Sequence, residues 1–511
     1  MAERSKDLKP KTVSLVTFGC AKNLVDSEVM LGYLRRAGYV FLREPEKADI
    51  VVLNTCGFIK PAKEEAIQAM DEAAALKRNY ERKIIVVTGC YVERYKKDLR
   101  SQYPEIDVWL GVKDYDKIVQ AIEGKSFRSG NVTFLCSHTT PRILSTPPSW
   151  AYLKISEGCS HECAFCAIPL IKGPYRSRNI SSIVEEAREL GRRGVKEINL
   201  VSQDTTYFGR DKGRKDDLVR LLRRLIDVPG IRWIRLLYGY PEEITDALLE
   251  LMKEEKICSY LDIPFQHADR RILKEMKRSM DGRRALTLID KIRKRLPDVA
   301  LRTSLIVGFP GEGRREFKNL KTFVQTARFD HLGVFTYSPE EGTDSYRTGD
   351  PIPESEKLMR QEDIMRTQAE ISSAINRKYL NQRLEILMEY PSQAAGKPLF
   401  GRARFQAPEV DGVIFIRDDS PASRRLKALG SIPNTVIIKQ FSEVGPVTAR
   451  SRPSSLKTPP AAPFAAGVAG TGAAPPIKVC FHHGIWDAYK PLEKVEIVAT
   501  DVYDLHGKIV R

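Results

Sequence analysis

Gly158-Cys159-Ser160-His161-Glu162-Cys163-Ala164-Phe165-Cys166 follows an apolar run over residues 151–155. Its three thiols, spaced four and then three residues apart, can converge from one tight loop on a single soft metal centre. Three sulfur ligands suit a four-iron cluster that leaves one iron open to a further ligand. The same residues admit two other readings: a zinc knuckle with His161 as fourth ligand, or a disulfide beside a spare thiol. In an intracellular chain such spacing favours metal over cystine.

Working outward, 511 residues exceed one domain, and about two to four are expected. The nine cysteines are an odd number, and the start of the sequence lacks a charged-then-apolar leader, so a reducing cytoplasm is the expected location. No window of about twenty apolar residues occurs, so no membrane span is expected. The nearest stretch, 461–474, is an Ala/Gly/Pro mixture with the composition of a linker. Lysine and arginine exceed aspartate and glutamate by 83 − 66 = 17, a balance compatible with RNA or a ribonucleoprotein as partner.

Upstream, short β-branched runs at 13–18, 49–53 and 83–87 alternate with helical patterns such as 26–37 and 63–76. This alternation predicts an open parallel α/β sheet. A cysteine stands just past each strand, as Gly19-Cys20, Cys56-Gly57 and Gly89-Cys90. The carboxyl ends of parallel strands share one edge, so thiols 36 and 34 residues apart in sequence would meet there. The adjacent glycines let backbone approach closely or take positive φ. One free cysteine is ordinarily a small buried hydrophobe. Three at equivalent places indicate a second three-cysteine iron–sulfur site. Cys136, Cys258 and Cys480 lack such placement and are read as structural or incidental.

Downstream of a proline-rich boundary at 141–149, strand-like runs fall at 152–156, 197–202, 233–238, 260–264, 300–307 and 331–337. Helical patterns lie between them, including 182–193, where Ser182 and Glu185 have capping-box spacing. Six such units predict a partial (βα)6 barrel with function on the loops after the strands. Those loops carry the cysteine triad, Ser202-Gln203-Asp204, Tyr238-Gly239-Tyr240, Gln266-His267, Gly308-Phe-Pro-Gly-Glu312 and Ser338-Pro339. His267 is read as a hydrogen-bonded structural histidine before a proton donor. The lysines and arginines of the helical stretch 358–379 are read as a solvated face. Residues 384–390, 399–405 and 412–416 alternate like short antiparallel strands.

Cys159-x3-Cys163-x2-Cys166, with Phe165 before the last cysteine, resembles the signature of radical S-adenosylmethionine (radical SAM) enzymes. That resemblance implies that the open iron chelates S-adenosylmethionine and reduces it to a 5′-deoxyadenosyl radical able to break an unactivated C–H bond. It also makes Phe165, Gln203 and Arg302 candidate cofactor contacts, with Gln203 toward the sugar and Arg302 toward the carboxylate. The alternative for Arg302 is an inward barrel residue in a structural ion pair. Gly308-x-x-Gly311-Glu312 resembles the turn by which such barrels approach the adenine and sugar.

Thr17-Phe-Gly-Cys-Ala-Lys-Asn-Leu-Val-Asp-Ser-Glu28, Asn54-Thr-Cys-Gly-Phe-Ile59 and Gly89-Cys90 look like the N-terminal domain of the methylthiotransferases. Ala-Lys-Asn-Leu-Val-Asp-Ser after Cys20, Gly-Phe-Ile after Cys56, Ser202-Gln-Asp-Thr-Thr-Tyr207 and Asp262-Ile-Pro-Phe-Gln-His267 resemble the ribosomal-protein branch, RimO, more than the tRNA branch, MiaB. Gly401-Arg-Ala-Arg-Phe-Gln-Ala-Pro-Glu-Val-Asp-Gly412, with 494–499 and 501–507, looks like a TRAM domain, a small antiparallel β-barrel. The resemblance spans about 12–416 and the extreme C terminus.

It implies two [4Fe-4S] clusters, on Cys20, Cys56 and Cys90 and on Cys159, Cys163 and Cys166, with S-adenosylmethionine as cofactor. It further implies transfer of a methylthio group to the β-carbon of an aspartate in small-subunit ribosomal protein uS12, free or in the subunit. An electron donor, a sulfur source and possible RNA contact through TRAM complete the implied partners. The alternatives are methylthiolation of a tRNA adenosine and a noncatalytic iron–sulfur RNA-binding or electron-carrier protein. The α/β multidomain chain is accordingly divided into 11–127, a linker 128–150, the barrel 151–379, and 380–511 with an insertion at about 418–492. Within that insertion, 450–476 has the composition of a disordered segment, and His482-His483 beside Cys480 lacks the further ligands a metal needs.

Overall fold

The computed structural model describes residues 11–389, 399–417, 477–478, 492–500 and 502–509. Four parallel strands form the N-terminal sheet in the order β1 (Thr12–Thr17), β2 (Ile50–Thr55), β3 (Ile84–Gly89) and β4 (Val108–Leu110). Two-residue strands at Val40–Phe41 and Ile477–Lys478 also pair with β1, the second antiparallel. Alternate residues serve opposite faces: Val13, Ile50, Val52 and Val86 pack toward α1 (Ala21–Arg36), and Val51, Leu53, Ile85 and Val87 toward α2 (Lys60–Asn79) and α3 (Cys90–Gln102). The sequence pattern starts the first helix at residue 26, but α1 begins immediately after Cys20. Its first turns look polar and loop-like because Lys22, Asn23, Asp26, Ser27 and Glu28 are buried in partnerships with distant segments.

The central sheet holds six parallel strands in sequence order: β5 (Trp150–Lys154), β6 (Glu197–Val201), β7 (Trp233–Leu236), β8 (Ile257–Asp262), β9 (Ala300–Val307) and β10 (His331–Thr336). Helices α4 (Ile180–Arg192), α5 (Asp217–Ile226), α6 (Gly282–Arg295), α7 (Arg314–Ala327) and α8 (Glu354–Asn376) cover its outer face. The sheet does not close, which makes it a partial barrel.

Two local expectations are corrected. Ser182 does not cap α4, which starts two residues earlier after Asn179; its hydroxyl instead accepts from the His138 backbone N–H at 3.1 Å and from Arg178 at 3.2 Å. The basic stretch 358–379 is not simply a solvated face, since Arg360 is buried and pairs with Glu312 at 2.6 Å.

The C-terminal strands β11 (Arg383–Glu389), β12 (Leu399–Ala403), β13 (Ile414–Arg417), β14 (Leu492–Thr500) and β15 (Leu505–Ile509) close into a barrel in the order β11-β12-β13-β15-β14. All its pairs are antiparallel except β13 with β15. Residues 450–476, Cys480 and His482-His483 lie outside the described residues.

The connection between β12 and β13 enters the floor of the central barrel, at the amino ends of its strands. Tyr152 donates to Glu409 and Tyr260 to Asp411, each at 2.7 Å. Arg235 donates to the Arg404 carbonyl at 2.7 Å, and the His331 ring to that of Phe405 at 2.8 Å. Arg402 of β12 reaches Glu197 of β6 at 2.6 Å, and both are buried. Among the described residues no helix is long and apolar enough to cross a membrane.

Candidate active site at the mouth of the partial barrel

The three N-terminal cysteines gather because glycine lets their loops touch. Cys20 precedes α1, Cys56 follows β2, and Cys90 opens α3. Gly19 has φ +86°, and a Cβ placed on it would lie 2.7 Å from the Cys56 Cβ and 2.9 Å from its Sγ. A Cβ on Gly89, at φ +104°, would lie 2.3 Å from the Thr55 carbonyl oxygen. Side-chain amides then fix the loops: Asn23 donates to the Phe18 carbonyl at 2.8 Å, and Asn54 to the Asn23 carbonyl at 2.9 Å and Ser27 at 2.7 Å.

Burial pushes the Cys56 thiol far up, reinforced by the Cys90 and Cys20 thiols beside it. Burial likewise pushes Cys90 up to about 12. Two thiols buried this way, Cys56 and Cys90, do not ionise together unaided; a bound cationic iron centre would supply the missing charge. The donor set therefore fits a three-thiolate iron–sulfur site.

The second trio lies on the loop after β5. A two-strand ribbon, Ser156–Glu157 with Arg176–Ser177, fixes its base. Gly158 has φ +79°, and a Cβ there would meet the Pro174 carbonyl oxygen at 2.2 Å. The Cys159 N–H donates to the Gly173 carbonyl and that of Cys166 to the Cys163 carbonyl, each at 3.1 Å. Arg278 contacts the Cys163 Sγ at 3.7 Å, which places a fixed cation beside a thiol. Burial pushes Cys159 up to about 11 and Cys166 up to about 12, and the Cys163 thiol adds to both. This trio fits the same kind of centre as the first. His161 is engaged elsewhere: its Nε2 is 2.6 Å from Asp204 and its ring stacks on Tyr240 at 3.9 Å. Among the described residues no group of three His, Cys, Asp or Glu side chains is gathered tightly enough for a single metal ion.

Buried charges join the trios. Lys154 and Lys172 share Asp26 of α1 and Glu157 of the cysteine loop, with Lys154 2.8 Å from Glu157 and Lys172 3.2 Å from Asp26. Lys172 also acts on the Cys90 thiol. The Tyr238-Gly239-Tyr240 loop reaches both sides: Tyr238, at φ 61°, lies under the Lys22 ammonium, and Tyr240 under the Arg278 guanidinium. Sequence reading did not single out Lys22, Lys154, Lys172 or Arg278. The one available sign was a lysine inside an otherwise apolar strand, at Lys154.

Of the predicted cofactor contacts, Phe165 packs half-buried against the Ile272, Phe309 and Tyr337 cluster, and Gln203 is half-buried just past β6. Arg302 lies deeper, 3.3 Å from both Asp262 and Asp411. His267 is buried; it accepts from the Asp269 N–H at Nδ1, so Nε2 carries the proton donated to Glu312 at 3.1 Å. Glu312 also accepts from the Gly308 N–H at 3.1 Å, which sets the glycine turn. Cys136 and Cys258 are buried and belong to neither trio.

A family model described as Uncharacterized protein family UPF0004 matches residues 12–111, and one for the Radical SAM superfamily matches 153–324. The chain is 46% identical over 418 residues to the ribosomal protein uS12 methylthiotransferase RimO of Aquifex aeolicus, covering 81% of this chain and 92% of that one. It is 44% identical over 423 residues to the protein of the same name from Citrifermentans bemidjiense, covering 81% and 94%. The chain belongs to the RimO family. Among solved structures, the radical S-adenosylmethionine methyltransferase TsrM from Kitasatospora setae aligns at TM-score 0.47 and 15% identity over 65% of this chain and 77% of that one. The cobalamin-dependent S-adenosylmethionine radical enzyme OxsB aligns at TM-score 0.48 and 12% identity over 71% and 58%. In this RimO-family chain, the matched N-terminal region contains Cys20, Cys56 and Cys90, and the matched radical SAM region contains Cys159, Cys163 and Cys166.

Proposed function

We propose that the protein transfers a methylthio group to the β-carbon of an aspartate in ribosomal protein uS12 by S-adenosylmethionine-derived radical chemistry. One observation carries this reading: two cysteine trios, joined through shared buried charges, open at one barrel mouth in a chain of the RimO family. Cys20, Cys56 and Cys90 are assigned to one [4Fe-4S] cluster, and Cys159, Cys163 and Cys166 to the other. When bound, the clusters and S-adenosylmethionine supply a carbon-centred radical and a transferable methylthio group, chemistry that side chains lack.

The chain's own part is positioning. Lys154, Lys172, Asp26 and Glu157 lock α1 to the cysteine loop, which fixes the distance between the trios. Phe165 and Gln203 at the rim are assigned to S-adenosylmethionine, as is Arg302, lower in the barrel and shared with two aspartates. The reading requires an electron donor, a sulfur source and a cytoplasmic setting in which thiols stay reduced.

The net charge of +17 and the closed C-terminal barrel suit a tRNA substrate equally well, so the test must separate the two. Ribosomal peptides and tRNA nucleosides are compared by mass spectrometry between cells with and without the protein. Loss of a methylthio group from the uS12 aspartate peptide is expected. Its loss from nucleosides, with the peptides unchanged, overturns the reading.

A further inference from the structure

Lys22, two residues past Cys20, is 7% exposed, yet among the described residues its ammonium has no carboxylate within ion-pair distance. The other two buried lysines at this junction each have both Asp26 and Glu157. Lys22 has the face of Tyr238, 3.5 Å from its Nζ to the ring centroid, the Cys20 thiol, and the more distant Glu157, which Lys154 and Lys172 already share. The backbone supports the arrangement, because Tyr238 is held at φ 61° with its N–H on Asp262 at 3.3 Å. The result is an ammonium without a carboxylate partner, held against Tyr238 beside Cys20, the exposed thiol of the first trio.

The proposed reaction occurs at an aspartate β-carbon, one bond from the side-chain carboxylate. Placing that carbon between the trios places its carboxylate in the same space. We propose that Lys22 is the receptor for the carboxylate of the substrate aspartate and so selects an acidic side chain for modification; this rests on the function proposed above. A charge-assisted contact of this kind, shielded from water, orients the β-carbon and discriminates against the neutral amide. Two other duties are open to the same ammonium: holding the carboxylate of S-adenosylmethionine, or balancing the charge of the Cys20 site.

The experiment uses anaerobically reconstituted holoenzyme, as parent, Lys22→Gln and Lys22→Arg. The probes are a uS12 loop peptide containing the target aspartate and its asparagine counterpart. Peptide affinity is measured by fluorescence anisotropy, together with S-adenosylmethionine affinity, iron per chain and the electron paramagnetic resonance spectrum. The parent is expected to prefer the aspartate peptide by at least about tenfold. Lys22→Gln loses that preference while cofactor affinity, iron and spectrum hold, and Lys22→Arg restores part of it. Retention of the preference in Lys22→Gln overturns the proposal. So does a defect confined to cofactor affinity, or one seen in iron content and spectrum. If the parent neither binds nor modifies the aspartate peptide, the function reading fails first and takes this proposal with it.

Discussion

Gly19 has room for a hydrogen and nothing larger. A methyl group there meets Cys56 at 2.7 Å on a backbone already at φ +86°, so Gly19→Ala displaces a thiol of the first trio. Such a change costs on the order of 1–3 kcal/mol locally. We expect the reconstituted variant to hold about half the parent's iron, measured by colorimetric assay, while reductive cleavage of S-adenosylmethionine persists. At this scale the sequence was informative where chemistry repeats: a cysteine beside a glycine at three strand ends signalled the trio. It was silent on Lys22, Asn23 and Asp26, whose partners lie on other elements, for Lys22 more than 200 residues away.

Among the elements, β12 and the connection that follows it carry the strongest demands. Arg402, buried against Glu197 and Glu389, faces a carboxylate also shared with Arg235 at 2.8 Å. Removing one member of such a buried network leaves charge uncompensated, and Arg402→Ala should cost about 3–5 kcal/mol, read as earlier thermal unfolding and faster proteolysis between the barrels.

Glu409 behaves differently. Burial pushes its carboxyl from 4.5 up to about 7, with the Tyr152 hydroxyl opposing, so the folded chain holds a proton that the unfolded chain releases. That contribution is complete below about pH 4.5 and is lost as pH rises through 7. Glu409→Gln should therefore gain thermal stability relative to the parent as pH rises from 5 to 8, by about 2–3 kcal/mol, checked by melting curves across that range. The central strands were legible because β-branched runs recur, but this plug was not. Its charges read as surface until their partners on β5, β6 and β8 are known.

Over the whole molecule, one apolar core runs from the N-terminal sheet through Trp150, Tyr152, Trp233 and Tyr260 inside the central barrel to Leu387 and Ala407 of the C-terminal barrel. The trios are thus held by a continuous solid rather than by hinged parts. Asp26→Asn tests this, since it weakens both lysine pairs between α1 and the cysteine loop. Faster amide hydrogen exchange is expected in α1 and β5 together, with α5 on the far side unchanged. The sequence placed each trio on its own loops; how the two sheets dock was not legible, because no periodicity encodes it.

Residues 404–411 stopper the barrel from beneath. Entry from below is shut, so whatever reacts inside arrives by the mouth or by the unclosed side of the sheet.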